Sequence, residues 1–234
     1  MPDSASDLLV ARRRKLELLR ERGGVLFPND FGPSHTTAEL HDRFHDVDAD
    51  TLAAETETYR LAGRIVSVRD FGKAAFFHLQ DRDGRLQVYV KREAIGAEDF
   101  ERYRLADLGD IVGVGGRLFR TKTGELSLLA DSFRILTKAL RPLPEKWHGL
   151  SDVETRYRSR YLDLIANPEV RRIFELRTRI VAAIRRFLDG RGYLEVETPV
   201  LQPLYGGAAA RPFSTYHQAL ERKLYLRISD ELYL

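Results

Sequence analysis

The residue types best suited to chemistry crowd into the end of the chain, in the run GYLEVETPVLQPLYGGAAARPFSTYHQALERKLYLRISDELYL from Gly192 to Leu234. It holds paired glycines, Gly206 and Gly207, an alanine run at 208–210, a strand bearing Arg227, and one acidic residue, Glu231, at the expected start of a helix. A long helix leads in through a short strand, 193–197, that closes on Pro199. This reads as the material of half an active site, and the half that would handle phosphate is not expected within these residues. A second constellation lies earlier. Alternation along three predicted strands puts Phe77, Leu79, Leu86, Val88, Val90, Leu126 and Leu128 inward. Phe76, His78, Gln87, Tyr89, Glu125 and Ser127 then point outward. An outward phenylalanine beside a glutamine offers a stacking face with a hydrogen-bonding neighbour, which suits unpaired RNA bases. Packing of Phe76 beneath a helix or loop is the plain alternative. His41 and His45 stand four apart on a predicted helix, a spacing that a metal can use. No third ligand accompanies them, and a surface helix is the simpler reading.

These groups need a scaffold, and the composition supports one. At 234 residues, with 43% hydrophobic and 31% charged residues, the chain can bury a core and stay in solution. The absence of cysteine rules out disulfides and thiolate metal sites. No apolar run approaches the ~20 residues of a bilayer span, and residues 1–7 lack the apolar core of a signal peptide, so a cytoplasmic location is expected. The net charge of +3 is small, but basic residues cluster. A helix capped by Ser4 or Asp7 and ended by Gly23-Gly24 carries Arg12, Arg13, Arg14, Lys15, Arg20 and Arg22. That face is either merely solvated or touches phosphates. A connector around Pro28 and Pro33 precedes a short helix from Thr37. Strands are expected at 59–68, 74–80, 85–91, 110–120 and 125–136, with an Asp83-Gly84 turn and a helix over 93–105. Five strands with a helix between the third and fourth follow the order of an OB-fold barrel. Pro142 and Pro144 mark a linker. One helix is expected over 152–165, broken by Asn167-Pro168. A second, over 169–191, has an apolar stripe of Val170, Ile173, Phe174, Ile180, Val181, Ile184 and Leu188.

Four blocks resemble a known family: Phe71-Gly72-Lys73-Ala74 through Leu79-Gln80-Asp81; the run Leu136 to Pro144, LTKALRPLP; Arg156-Tyr157-Arg158 through Arg160-Tyr161-Leu162-Asp163-Leu164; and Gly206-Gly207-Ala208-Ala209-Ala210-Arg211-Pro212-Phe213 with Tyr225-Leu226-Arg227 and Glu231-Leu232-Tyr233-Leu234. The chain resembles the N-terminal half of class II lysyl-tRNA synthetases of the bacterial type. Aspartyl- and asparaginyl-tRNA synthetases share the architecture but resemble the last block less. A stand-alone OB-fold RNA-binding module is the other alternative.

The resemblance implies an α+β organisation: a helical extension at 1–57, an OB-fold anticodon-binding domain at 58–140, a linker at 141–150, and the start of an antiparallel class II catalytic domain at 151–234. It implies ATP-dependent activation of L-lysine and transfer to tRNA(Lys), with Mg2+ and a homodimer whose interface includes Pro199. Arg69, Phe76, Gln87 and Glu125 match the anticodon contacts. Gly207, through its carbonyl, and Glu231 match the groups that hold the amino group of lysine. Glycine allows close backbone approach, and an ammonium–carboxylate hydrogen bond is strong; a carboxylate at a helix N-terminus is also stabilised by the dipole alone. Ser229-Asp230 stands where relatives usually have Ala-Pro, and Asp230 is expected to cap the helix or add negative charge. Arg211 and Arg227 do not fall at the family's ATP-gripping positions. No catalytic residue or metal ligand is therefore expected in this chain, which should bind tRNA without forming adenylate.

Overall fold

The computed structural model describes residues 4–23, 25–143 and 150–234. The expected glycine at 24, and Pro144 with most of the expected linker, lie outside the described residues. The chain divides into two compact units, 1–166 and 167–234.

The first unit opens with α1 (Ser4–Glu21), α2 (Thr37–Phe44) and α3 (Ala49–Ala54). Ser4 is already helical and Asp7 sits in the first turn, so neither holds the cap position expected of it. Thr36 and Glu39 form a reciprocal capping box at the start of α2, and Asp48 caps α3 through the Thr51 amide. The barrel follows: β1 (Tyr59–Asp70), β2 (Ala74–Gln80), β3 (Arg85–Lys91), α4 (Arg92–Arg104), β4 (Ile111–Arg120) and β5 (Leu126–Thr137). It closes in the order β1-β2-β3-β5-β4, with β3 and β5 parallel and the other pairs antiparallel. This is the OB-fold expected from the strand order. Every inward residue read by alternation is buried, and Ile95, Phe100 and Tyr103 of α4 join the same core.

One face of α1 is fixed to the barrel by charge. The Arg12 guanidinium is buried and donates to the carbonyls of Ala139 (2.7 Å), Arg141 (3.2 Å) and Leu108 (3.0 Å). Lys15 pairs with Asp107 at 2.6 Å. The reading of Arg12 and Lys15 as part of a free basic face is thereby corrected: buried carbonyls and a carboxylate claim them. Arg13, Arg14 and Arg22 remain exposed, while Arg20 pairs with Glu17.

The helix expected over 152–165 is two, α5 (Val153–Arg158) and α6 (Arg160–Ala166), separated at Ser159. The break lets Arg156 and Arg160 converge on fully buried Asp163, at 2.9 Å for Arg156.

The second unit holds α7 (Pro168–Asp189) and an antiparallel sheet, β6-β8-β7, of β6 (Leu201–Gln202), β7 (Ser214–His217) and β8 (Arg222–Leu226). A short 3-10 helix spans Glu231–Tyr233. Proline occupies the first turn of α7, and Gly192, at φ +81°, lets the chain leave the helix. Residues 193–199 form no strand. Pairing with β8 begins only at Leu201, so the expected strand closing on Pro199 lies instead just beyond that proline.

Candidate functional site

Register decides which side chains meet on the outer face of the barrel. Arg69 lies opposite Phe76 and Ser67 opposite His78; Phe76 lies opposite Tyr89 and His78 opposite Gln87; Gln87 lies opposite Ser127. Directly paired residues share a face. Two rows result, Arg69–Phe76–Tyr89 and Ser67–His78–Gln87–Ser127. The register also settles Arg69, whose direction the strand end leaves open in the sequence: it shares the face of Phe76.

The first row is aromatic. The rings of Phe76 and Tyr89 stack at 4.2 Å between centroids with 9° between planes. Phe71 meets Phe76 edge-on at 6.3 Å, Phe119 lies 6.1 Å from Tyr89, and Lys91 Nζ sits 5.4 Å over the Tyr89 ring. The second row is polar and continuous. Ser67 Oγ meets His78 Nδ1 at 2.7 Å, and His78 Nε2 meets Glu125 Oε1 at 3.1 Å. Gln87 Nε2 donates to Glu125 Oε2 at 2.8 Å, and Ser127 Oγ donates to Gln87 Oε1 at 2.9 Å.

All four residues matched to anticodon contacts thus belong to one face, with Phe76 in the aromatic row and Gln87 and Glu125 bonded to each other. Outward does not mean exposed, however. Gln87 is 7% exposed and Ser127 is fully buried. Alternation gives the direction of a side chain, and the hydrogen-bonded row then covers it. Tyr89 and His78 were visible in the sequence as outward residues, but their contacts with Phe76 and Glu125 depend on register. Phe71 and Phe119 gave no such signal. His41 and His45 do not act together: His41 Nε2 meets the Arg85 carbonyl at 2.9 Å, and His45 pairs with Asp46 at 2.7 Å. Among the described residues, no group of three or more His, Asp or Glu side chains is placed to hold a metal ion.

In the second unit Gly207 and Glu231 come together. Gly207 has φ +85°, and a Cβ there would stand 2.7 Å from Ser229 Oγ and 3.4 Å from Glu231 Oε2. A side chain at 207 would press into the space between them. Glu231 is exposed at the start of the 3-10 helix, where its backbone N–H donates to Ser229 Oγ at 3.3 Å. Asp230 makes no capping bond with its side chain. It accepts instead from Thr198 and pairs with Arg227 at 2.9 Å, while Arg227 also donates to the Thr198 carbonyl at 3.0 Å. The expectation of Asp230 as cap is corrected: Ser229 takes that bond, and Asp230 with Arg227 anchors the segment beside Pro199. Pro199 itself is exposed.

Residues 59–136 match the OB-fold nucleic acid binding domain family, and residues 152–234 match the family described as tRNA synthetases class II (D, K and N). The lysine–tRNA ligase of Pelotomaculum thermopropionicum is 50% identical over 232 residues, 99% of this chain and 44% of its own length. That of Methylobacillus flagellatus is 50% identical over 233 residues, 100% of this chain and 45% of its own. That of an Anaeromyxobacter species, strain K, is 54% identical over 230 residues, 97% of this chain and 45% of its own. The chain belongs to the lysyl-tRNA synthetase family. It spans less than half the length of these relatives. The stretch shared with the lysyl-tRNA synthetases contains both the aromatic and polar rows of the barrel and the Gly207–Glu231 pair. Among the described residues, no helix is long and apolar enough to cross a membrane.

Proposed function

We propose that the protein is a lysine–tRNA ligase, using ATP to activate L-lysine as lysyl-adenylate and passing the lysyl group to tRNA(Lys) in the cytoplasm. The observation that carries this is identity of about half over nearly the whole chain to proteins of that name. In this reading the outer face of the barrel holds the anticodon: Phe76 stacks on a base, Gln87 and Glu125 meet base edges, and Arg69 supplies positive charge beside them. The Gly207 carbonyl and the Glu231 carboxylate hold the α-ammonium of lysine. Among the described residues, the acidic side chains do not gather into a magnesium site. An RNA-binding module alone would not need Gly207 and Glu231 brought together, which favours the ligase.

Competition binding tests the reading. The chain is titrated with tRNA(Lys), tRNA(Asp) and tRNA(Asn) at one salt concentration, since affinity for a polyanion is meaningful only at stated salt. tRNA(Lys) is expected to bind about tenfold or more tighter, the scale of one good base contact. Equal affinity for the three would reduce the barrel to a general RNA binder.

A further inference from the structure

The polar row fixes the orientation of the Gln87 amide, and that orientation has a consequence for which base it can read. The nitrogen end of the amide faces Glu125, whose side chain is 45% exposed, and the oxygen end faces fully buried Ser127. Reversing the amide would set its oxygen against a carboxylate, so Glu125 selects the direction. Ser127 holds the far end. His78 occupies the second oxygen of Glu125 and is itself held by Ser67. In a neutral ring both His78 contacts are satisfied when the proton is on Nε2, donating to Glu125, and Ser67 donates to Nδ1.

One amide hydrogen of Gln87 is committed to Glu125; the second, on a residue that keeps 7% of its surface exposed, is the one a ligand would meet, next to a carboxylate with lone pairs to spare. A donor beside an acceptor complements a carbonyl beside an imino N–H. Uracil offers that pair as O4 and N3–H, and guanine as O6 and N1–H. Cytosine and adenine present the reverse, an amino group beside a ring nitrogen that only accepts. We propose that Ser127 and His78 are positioning residues that lock the Gln87–Glu125 pair in the one arrangement that reads a keto base and rejects an amino base. The inference rests on the reading of this face as the anticodon site, and it adds two residues that touch no base.

The test uses the 234-residue chain and four stem-loop RNAs that differ only in the contacted loop base: uracil, guanine, cytosine or adenine. The wild type is expected to favour the keto bases by about tenfold or more, the worth of one good paired contact. Ser127→Ala frees the carbonyl end of the amide and is expected to bring that ratio down toward one. Phe76→Ala, which removes the stacking ring, lowers all four affinities together and leaves the ratio. A positioning role thus moves the ratio, and a merely structural one moves affinity alone. Should Ser127→Ala fail to fold, His78→Ala, at a partly exposed site, carries the same expectation. A wild type that discriminates and a folded variant that discriminates equally would overturn the positioning role while leaving the anticodon reading intact. A wild type that binds none of the four RNAs would overturn the anticodon reading and the inference with it.

Discussion

A base that stacks on Phe76 meets a ring already held flat against Tyr89 and flanked by Phe71. Ordering a side chain on binding costs about 0.5–1.5 kcal/mol, and here much of that ordering precedes the ligand. Phe76→Ala is therefore expected to weaken RNA binding by about 1–3 kcal/mol, the usual worth of one stacked base. Fluorescence anisotropy with labelled tRNA(Lys) at fixed salt measures it, and an unchanged Kd would remove Phe76 from the interface. The proposed lysine end depends on a backbone feature. Gly207 holds a φ of +85° that other residues adopt only with strain, and a Cβ there would clash with Ser229 and come within contact of Glu231. In the proposed reading, the absence of a side chain at 207 lets a small cation approach the backbone beside the Glu231 carboxylate. Asp230, three residues from Arg227, is spent on a structural pair, so its charge is partly neutralised, whereas Glu231 lies exposed beside Gly207.

The barrel exit is an element held by buried charge. Lys138 is 5% exposed and lies between Asp107 and Asp110, at 2.7 Å from the latter. Asp110 also accepts from the Ala139 amide at 2.7 Å and the Asp107 amide at 2.8 Å. Arg12 of α1 caps the carbonyls of the same segment, so α1, the loop before β4 and the strand exit form one unit. Removing one partner of such a pair leaves a buried charge uncompensated, and Lys138→Met is expected to destabilise the barrel by about 3–5 kcal/mol at neutral pH. The pH dependence has a definite sign. Burial pushes the Asp107 carboxyl up, but hydrogen bonds from Lys138 and Lys15 outweigh it and hold the group below its ordinary value. A carboxyl depressed on folding lends stability above its unfolded pKa of about 4, and that stability is lost as pH falls through the lower folded value. Thermal melts should show the barrel transition of the wild type falling on acidification below about pH 4. The variant should start lower and lose less. Equal losses in both would separate Asp107 from Lys138. The barrel that carries this latch was legible in the sequence, because alternation and a turn at Asp83-Gly84 mark strands directly. The latch was not, because Arg12 and Lys15 read alike with Arg13 and Arg14 on a basic helix until tertiary contacts tell them apart. The same holds for the site. Phe76, Gln87 and Glu125 were legible as outward residues, whereas the burial of Ser127 follows from a hydrogen-bonded row that exists only once β3 and β5 pair. The strand expected at 193–197 failed for the converse reason: local pattern supplies no partner strand.

At the scale of the whole molecule, α7 poses the clearest physical problem. Its stripe is apolar at helical spacing, yet only Val170 is buried; Ile173, Ile180 and Ile184 are 63%, 51% and 54% exposed. A contiguous apolar face of this kind calls for a cover, and further chain of the length the relatives have or a partner can supply it. The family resemblance implies a subunit interface on this helix and on Pro199; if that holds, a second copy of the chain covers part of the stripe, because a two-fold axis lets one self-complementary patch cover itself. Sedimentation equilibrium is expected to show a dimer. Ile180→Asp sets a charge in the middle of the stripe, where it would be buried without a partner, and is expected to raise the dimer dissociation constant by about a hundredfold, ~3 kcal/mol. The substitution lies in the second unit and the anticodon face in the first, so tRNA affinity per chain is expected to hold. A wild type that stays monomeric across the accessible concentration range would remove the dimer from this helix. A variant that dimerises as well as the wild type would move the interface elsewhere on the chain. Loss of tRNA binding in the same variant would show instead that the two units do not fold independently.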